Sequence, residues 1–156
     1  AASDVYKRQW LPDRPYTAGE WGYVNGKGRS TTSEIYNTVD GPVYQTWMED
    51  ITEYKIDAPA GTYEVELLMA DVSRPARQQA NLLGKGDERA SAVSKRFDIT
   101  ICGEVVEQNF SPADNNRYLN ACRRRYIVNN NDGCIDIRFT PLQGKPLLSG
   151  LKVRRL

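Results

Sequence analysis

The stretch Pro59 to Asp71, PAGTYEVELLMAD, decides the fold. After the Pro59-Ala60-Gly61 turn, Tyr63, Val65, Leu67 and Met69 alternate with Glu64 and Glu66, so one face of a strand is buried and the other mostly solvated. Upstream, Val43 to Met48 and Glu53 to Asp57 read as strands. Downstream, alternation resumes at Phe97, Ile99 and Ile101, turns at Cys102-Gly103, and returns through Val105 to Phe110. Cys122 to Val128 and the set Ile135, Ile137 and Phe139 come next, separated by Asn131-Asp132-Gly133. An Asp-Gly pair between alternating segments predicts a type I′ hairpin, whose two central residues both need positive φ. Leu147, Leu151 and Val153 place a last strand over Leu147 to Arg154. Roughly eight or nine short strands, with no convincing amphipathic helix beyond about three turns, predict an all-β sandwich. The polar stretch Ser73 to Ser94 interrupts them. It is too long for a routine connection, has room for a short helix around Ala76 to Leu83, and at that length is expected to be functional or disordered.

Composition narrows the function. The 156 residues fit one domain with its own core, and 40% of them are apolar against 26% charged. Lys plus Arg is 21 against 20 Asp plus Glu, a net charge of +1, which argues against a nucleic-acid partner or an acidic membrane surface. No apolar run approaches the roughly 20 residues that span a bilayer. Histidine is absent, which removes the commonest general base and every imidazole-dependent triad. Catalysis would need a carboxylate pair in a cleft, as in glycosidases. Most carboxylates here sit at solvent positions of strands or in turns, so no active site is expected within this chain. Cys102, Cys122 and Cys134 show no paired spacing, which disfavours a zinc site; one bridge or three free thiols both stay open.

Several local patterns have plain explanations. Asn129 to Gly133 lacks the acidic spacing of a calcium loop and reads as a turn, although a structural calcium elsewhere stays open; no other cofactor is expected. Arg123 and Arg125 share one face of a strand while Arg124 faces the other way, so the triplet is not one basic patch. Residues 1–9 do not share the patterning of the rest of the chain, and Asp4 to Gln9 resembles an adapter or fusion scar. They are set aside as a non-native leader, leaving 10–156 as the domain and the chain as a fragment of something longer. From Trp10 to about Gly28 the sequence reads as a long ordered loop in which Trp10, Tyr16, Trp21 and Tyr23 crowd among Pro and Gly. These rings either close one end of the sandwich or stay exposed as platforms for sugar rings. A platform covering roughly 100 Å² contributes about 2.5 kcal/mol.

Set side by side, VYQT at Val43 to Thr46, Tyr54, PAGTYEVELLMAD, RFDITICGEVV at Arg96 to Val106 and DGCIDIRFTPLQGKPLLSGLKV at Asp132 to Val153 resemble the malectin family. WLPDRPYTAGEWGYVNGK and the GKPLLSGLKVRRL ending resemble malectin-like modules of bacterial glycoside hydrolase family 2 enzymes of the β-galactosidase type. The resemblance implies a jelly-roll sandwich of the galactose-binding-like class with a non-catalytic carbohydrate-binding role. It also implies an oligo- or polysaccharide and the parent enzyme's catalytic domains as partners, and an extracellular or periplasmic location. The alternative is a structural module that packs against those domains and binds no sugar. In sugar-binding members, aromatic residues of the N-terminal region, an aromatic pair after the strand ending in Ala-Glu, and a late acidic residue line the site. Trp10 and Trp21, with Tyr23 beside them, are the implied counterparts of the first group. Ser73 and Arg74 replace the aromatic pair after Ala70-Asp71-Val72, and Gly144 stands at the acidic position. Asp71, Arg74 and Arg77 complete the candidate set, because arginines from the inserted stretch suit a carboxylate-bearing sugar. Cys102, where the family has Asn before Gly, is expected to be exposed and oxidisable.

Overall fold

The computed structural model describes residues 2–4, 10–73 and 94–156. The helix expected near Ala76 to Leu83 lies outside them, as do Arg74 and Arg77. Among the described residues, two five-stranded sheets make the sandwich. The first runs, in spatial order, β10 (Cys122–Asn130), β7 (Gly61–Met69), β13 (Gly150–Arg155), β1 (Ala2–Asp4) and β2 (Leu11–Pro12). The second runs β3 (Trp21–Val24), β6 (Glu53–Asp57), β11 (Cys134–Gln143), β8 (Arg96–Ile101) and β9 (Glu104–Phe110). A three-stranded sheet of β12 (Leu147–Leu148), β5 (Thr46–Glu49) and β4 (Lys27–Ser30) stands beside them, with one helical turn, α1 (Gly41–Tyr44), between β4 and β5 in the chain. The chain changes sheet at β6 to β7, β7 to β8, β9 to β10 and β10 to β11, which is the winding of a jelly roll.

Alternation supplies the core. Val65, Leu67 and Met69 of β7 meet Phe97, Ile99 and Ile101 of β8 and Ile135 and Ile137 of β11, all fully buried. On the opposite side of β7 the chemistry changes along the strand. Glu64 and Glu66 are flanked by Arg125, Arg123 and Arg154, whereas Leu68 and Ala70 lie under a second cluster with Ile35, Tyr44 and Trp10. The register puts Arg123 and Arg125 opposite Leu68 and Glu66, and Arg124 opposite Leu67, so the arginine triplet is split between faces as its spacing requires.

Several local expectations are corrected. Asn131 to Gly133 closes no hairpin: β10 pairs with β7 and β11 with β6, so the turn carries the chain from one sheet to the other. Only Gly133, at φ 77°, is left-handed there. A two-residue hairpin turn with positive φ at both positions is formed instead by Cys102 (51°) and Gly103 (81°), joining β8 to β9 with Ile101 opposite Glu104. Cys102 is half-buried against the core rather than exposed, and burial raises its thiol pKa. Val43 and Tyr44 belong to the helical turn, not to a strand; Pro42 fixes φ at its start. The N-terminal aromatic region holds β2 and β3 rather than loop alone. Four-residue edge strands are too short to show a period. Ala2–Asp4, which the sequence pattern leaves outside the domain, pairs in parallel with β13.

Removing three side-chain carbons from a site that cannot collapse costs transfer energy plus a cavity. Leu67→Ala and Ile137→Ala, both at 0% exposure, are each expected to lower stability by about 3 kcal/mol, read from the urea unfolding midpoint.

Candidate functional site

The strand ends around the inserted stretch converge on a cluster of polar and charged groups. Asp71, fully buried just past β7, accepts hydrogen bonds from the Ser73 amide (2.8 Å) and the Ser94 hydroxyl (2.6 Å). One carboxylate therefore ties together the two roots of the insert. Burial raises its pKa, and the serine bonds oppose that shift without cancelling it. Next to Ser94, the buried Lys95 donates to the Lys145 carbonyl at 3.1 Å and pairs with Glu49 of β5 at 3.5 Å. Arg29 of β4 donates to the other oxygen of Glu49 at 3.0 Å. Burial alone would raise the Glu49 pKa, but the charge of Lys95 and the bond from Arg29 outweigh it and leave it lowered.

Gly144 belongs to the same cluster, and its identity is steric. With φ at 63°, a Cβ there would overlap the Ser94 carbonyl, so no acidic side chain fits while Ser94 keeps this course. The insert root occupies the space that an acid would take. Beside the cluster, Pro12, Asp13, Arg29, Ser30 and Trp47 border an open depression of about 660 Å³.

The aromatic candidates lie elsewhere and apart. Trp10 is half-buried over Leu68 and Ala70 on the outside of the first sheet, with the Lys152 ammonium 5.1 Å from its ring centre. Trp21 and Tyr23 are half-buried on β3 at the edge of the second sheet, opposite Ile56 and Tyr54. The Arg14 guanidinium lies 4.3 Å from the Trp21 ring while its Nε donates to the Trp21 carbonyl. Two phenols staple this region: Tyr54 donates to Asp13 at 2.9 Å, and Tyr16 to Asp57 at 2.8 Å, which raises the Tyr16 pKa to about 12. Of the candidates within the described residues, only Asp71 sits in the polar cluster. Arg29, Glu49 and Lys95 escape sequence reading because their meeting depends on β4, β5 and the start of β8 being brought together across long separations.

One carboxylate pair invites comparison with a glycosidase. Glu53 and Asp136 share the outer face of the second sheet, where burial, and then a hydrogen bond and charge from Asp136, raise the Glu53 pKa. Groups in direct contact leave no room for the roughly 5 Å spacing of a retaining pair. Among the described residues no three Cys, Asp or Glu side chains gather as a metal site.

The malectin domain model matches residues 1–150. Among solved structures, Bacteroides uniformis β-glucuronidase is 41% identical with a TM-score of 0.81, over 94% of this chain and 16% of that one. A second structure, B. uniformis β-glucuronidase 2 bound covalently to cyclophellitol-6-carboxylate aziridine, gives 41% and 0.80 over 94% and 15%. The extracellular domain of ANXUR1 from Arabidopsis thaliana shares the fold at 14% identity and a TM-score of 0.64, over 94% of this chain and 37% of that one. No curated protein sequence matches. The chain thus spans about one sixth of the β-glucuronidases it resembles.

The Glu49 pair links this end to pH. A carboxylate whose folded pKa lies below its ordinary 4.5 contributes stability that is fully present above that value and is lost as pH falls through the depressed one. Glu49→Gln is expected to flatten that acid limb in urea titrations across the acid range. Lys95→Met, which leaves Glu49 with Arg29 alone, should cost about 2 kcal/mol at neutral pH.

Proposed function

This chain belongs to the malectin family, and we propose that it is a non-catalytic carbohydrate-binding module of a larger bacterial glycoside hydrolase, secreted or periplasmic. The observation that carries this reading is 41% identity over nearly the whole chain to a segment that makes up 16% of a β-glucuronidase. The active site then lies on another domain of the parent enzyme, and the module raises the local concentration of glycan beside it. The polar end of the sandwich supports the reading. Fixed carboxylates, an ammonium and backbone groups around the insert roots suit hydroxyl-rich ligands, whose binding rests on a few well-placed polar groups.

A second reading has its own support. Val105 and Ile127 are 53% and 61% exposed, and cations lie against the Trp10, Tyr16 and Trp21 rings. These features suit a module that packs against its catalytic domains and binds no sugar.

A glycan array probed with the 156-residue chain separates the two. Saturable binding at about millimolar to high-micromolar Kd is expected from a shallow polar site. Replacing Trp10 and Trp21 together by Ala should abolish it if those rings are the platforms; unchanged binding would move the site to the insert roots. A blank array across neutral and acidic glycans would favour the packing module.

A further inference from the structure

A second concavity lies between the loop around Asn37, the loop Ser111 to Ala121 and the start of β10. It encloses about 560 Å³ and is lined chiefly by Asn37, Asp114, Arg117, Asn120, Arg123 and Arg124. That volume falls within the ~300–1,000 Å³ of small-ligand sites. Its walls are fixed. Tyr36 donates its amide to the Leu119 carbonyl (2.7 Å) and accepts from Ala121 (2.9 Å), while Leu119 donates to the Asp71 carbonyl (2.9 Å). Leu119 is held at φ 60°, a left-handed conformation that a branched apolar residue keeps only where surrounding bonds over-determine it, while Asn37 and Asn115, at 65° and 61°, are of a type that adopts it readily. Such a wall does not have to be ordered when a ligand arrives.

The charges in the groove do not cancel. Arg123 pairs with Glu66, Arg124 with Glu107, and Asp114 with Arg96, all partners from outside the lining. The Arg117 guanidinium, exposed in the groove, makes no ion pair or hydrogen bond among the described residues. Asn120 spends one N–H on the Tyr118 carbonyl, and its amide oxygen is left to accept. Tyr36, clamped beside Asn120 and next to Asn37, is 54% exposed. An unpaired planar cation, two amides and a solvent-facing ring suit a ligand with one carboxylate and several hydroxyls.

We propose that this groove binds a carboxylate-bearing sugar, a uronic acid residue whose carboxylate is held by Arg117 and whose hydroxyls meet Asn37 and Asn120. The proposal rests on the carbohydrate-binding reading above and gives it a second site and a ligand class. It assigns the recognition to the scaffold itself rather than to the inserted stretch.

Titration of the ¹⁵N-labelled chain with methyl β-D-glucuronide and with methyl β-D-glucoside tests it, with Arg117→Gln as the variant and Arg138→Gln, on the outer face of the second sheet, as control. Glucuronide is expected to shift the amides of Asn37, Asn115 to Asn120 and Cys122 to Arg124 saturably. The neutral glycoside and Arg117→Gln should each bind about tenfold more weakly, as loss of a charge-assisted hydrogen bond predicts, and Arg138→Gln should bind like wild type. Equal binding of the two glycosides, or no effect of Arg117→Gln, overturns the proposal. Saturable shifts confined to residues around Arg29, Lys95 and Gly144 overturn it and leave the carbohydrate-binding reading standing. Silence here together with a blank glycan array overturns both.

Discussion

Burial of β7 on both faces is the constraint on which the rest of the structure depends. Its inner residues Val65, Leu67 and Met69 close the core between the sheets, and its outer residues change from Glu64 and Glu66 to Leu68 and Ala70 within one strand and its end. That change needs two kinds of cover. Arginines of β10 and β13 neutralise the glutamates, whereas Tyr44 and Trp10 are drawn over the apolar half. The one-turn helix and the N-terminal segment therefore pack where they do because bare Leu68 would otherwise face water.

The same strand delivers Asp71 to the end of the sandwich. A fully buried carboxylate with its two serine partners is costly to disturb, since each oxygen would lose a bond in a place water does not reach. Because those partners, Ser73 and Ser94, are the two roots of the insert, the insert is anchored to the core however its outer part is arranged. Lys95, one residue on, extends the anchoring to Glu49 and to the segment after β11. Gly144 fits this arrangement because the Ser94 carbonyl leaves no space for a Cβ. The course of the chain at Ser94 and the absence of a side chain at Gly144 are two sides of one steric fact.

Charge pairing also separates the structural from the available groups. Most of the arginines on the first sheet are committed to Glu64, Glu66 or Glu107, and the near-zero net charge reflects that local balance rather than an absence of cationic sites. Arg117 stands apart in a loop whose backbone is held by bonds to Tyr36 and Asp71. A wall already held by its own hydrogen bonds does not have to be ordered at the expense of binding free energy, whereas the exposed Arg117 side chain does.

By itself the sequence determined which residues face inward. Alternation in Tyr63 to Met69, Phe97 to Ile101 and Ile135 to Phe139 is a period-2 signal strong enough to specify strands and a sandwich, and the spacing of Arg123 to Arg125 specifies its split faces. Pairing was decided only in three dimensions. Asn131-Asp132-Gly133 has hairpin chemistry, yet the strands it joins belong to different sheets, because turn residues encode a reversal and not a partner. Short edge strands such as Trp21–Val24 carried too few residues to show a period. The candidate sites divided in the same way. Asp71 was legible as an acid at a strand end, but the company of Arg29, Glu49 and Lys95, the steric reason for Gly144 and the lack of an ion pair to Arg117 among the described residues depend on contacts between residues far apart in the chain, which local pattern does not record.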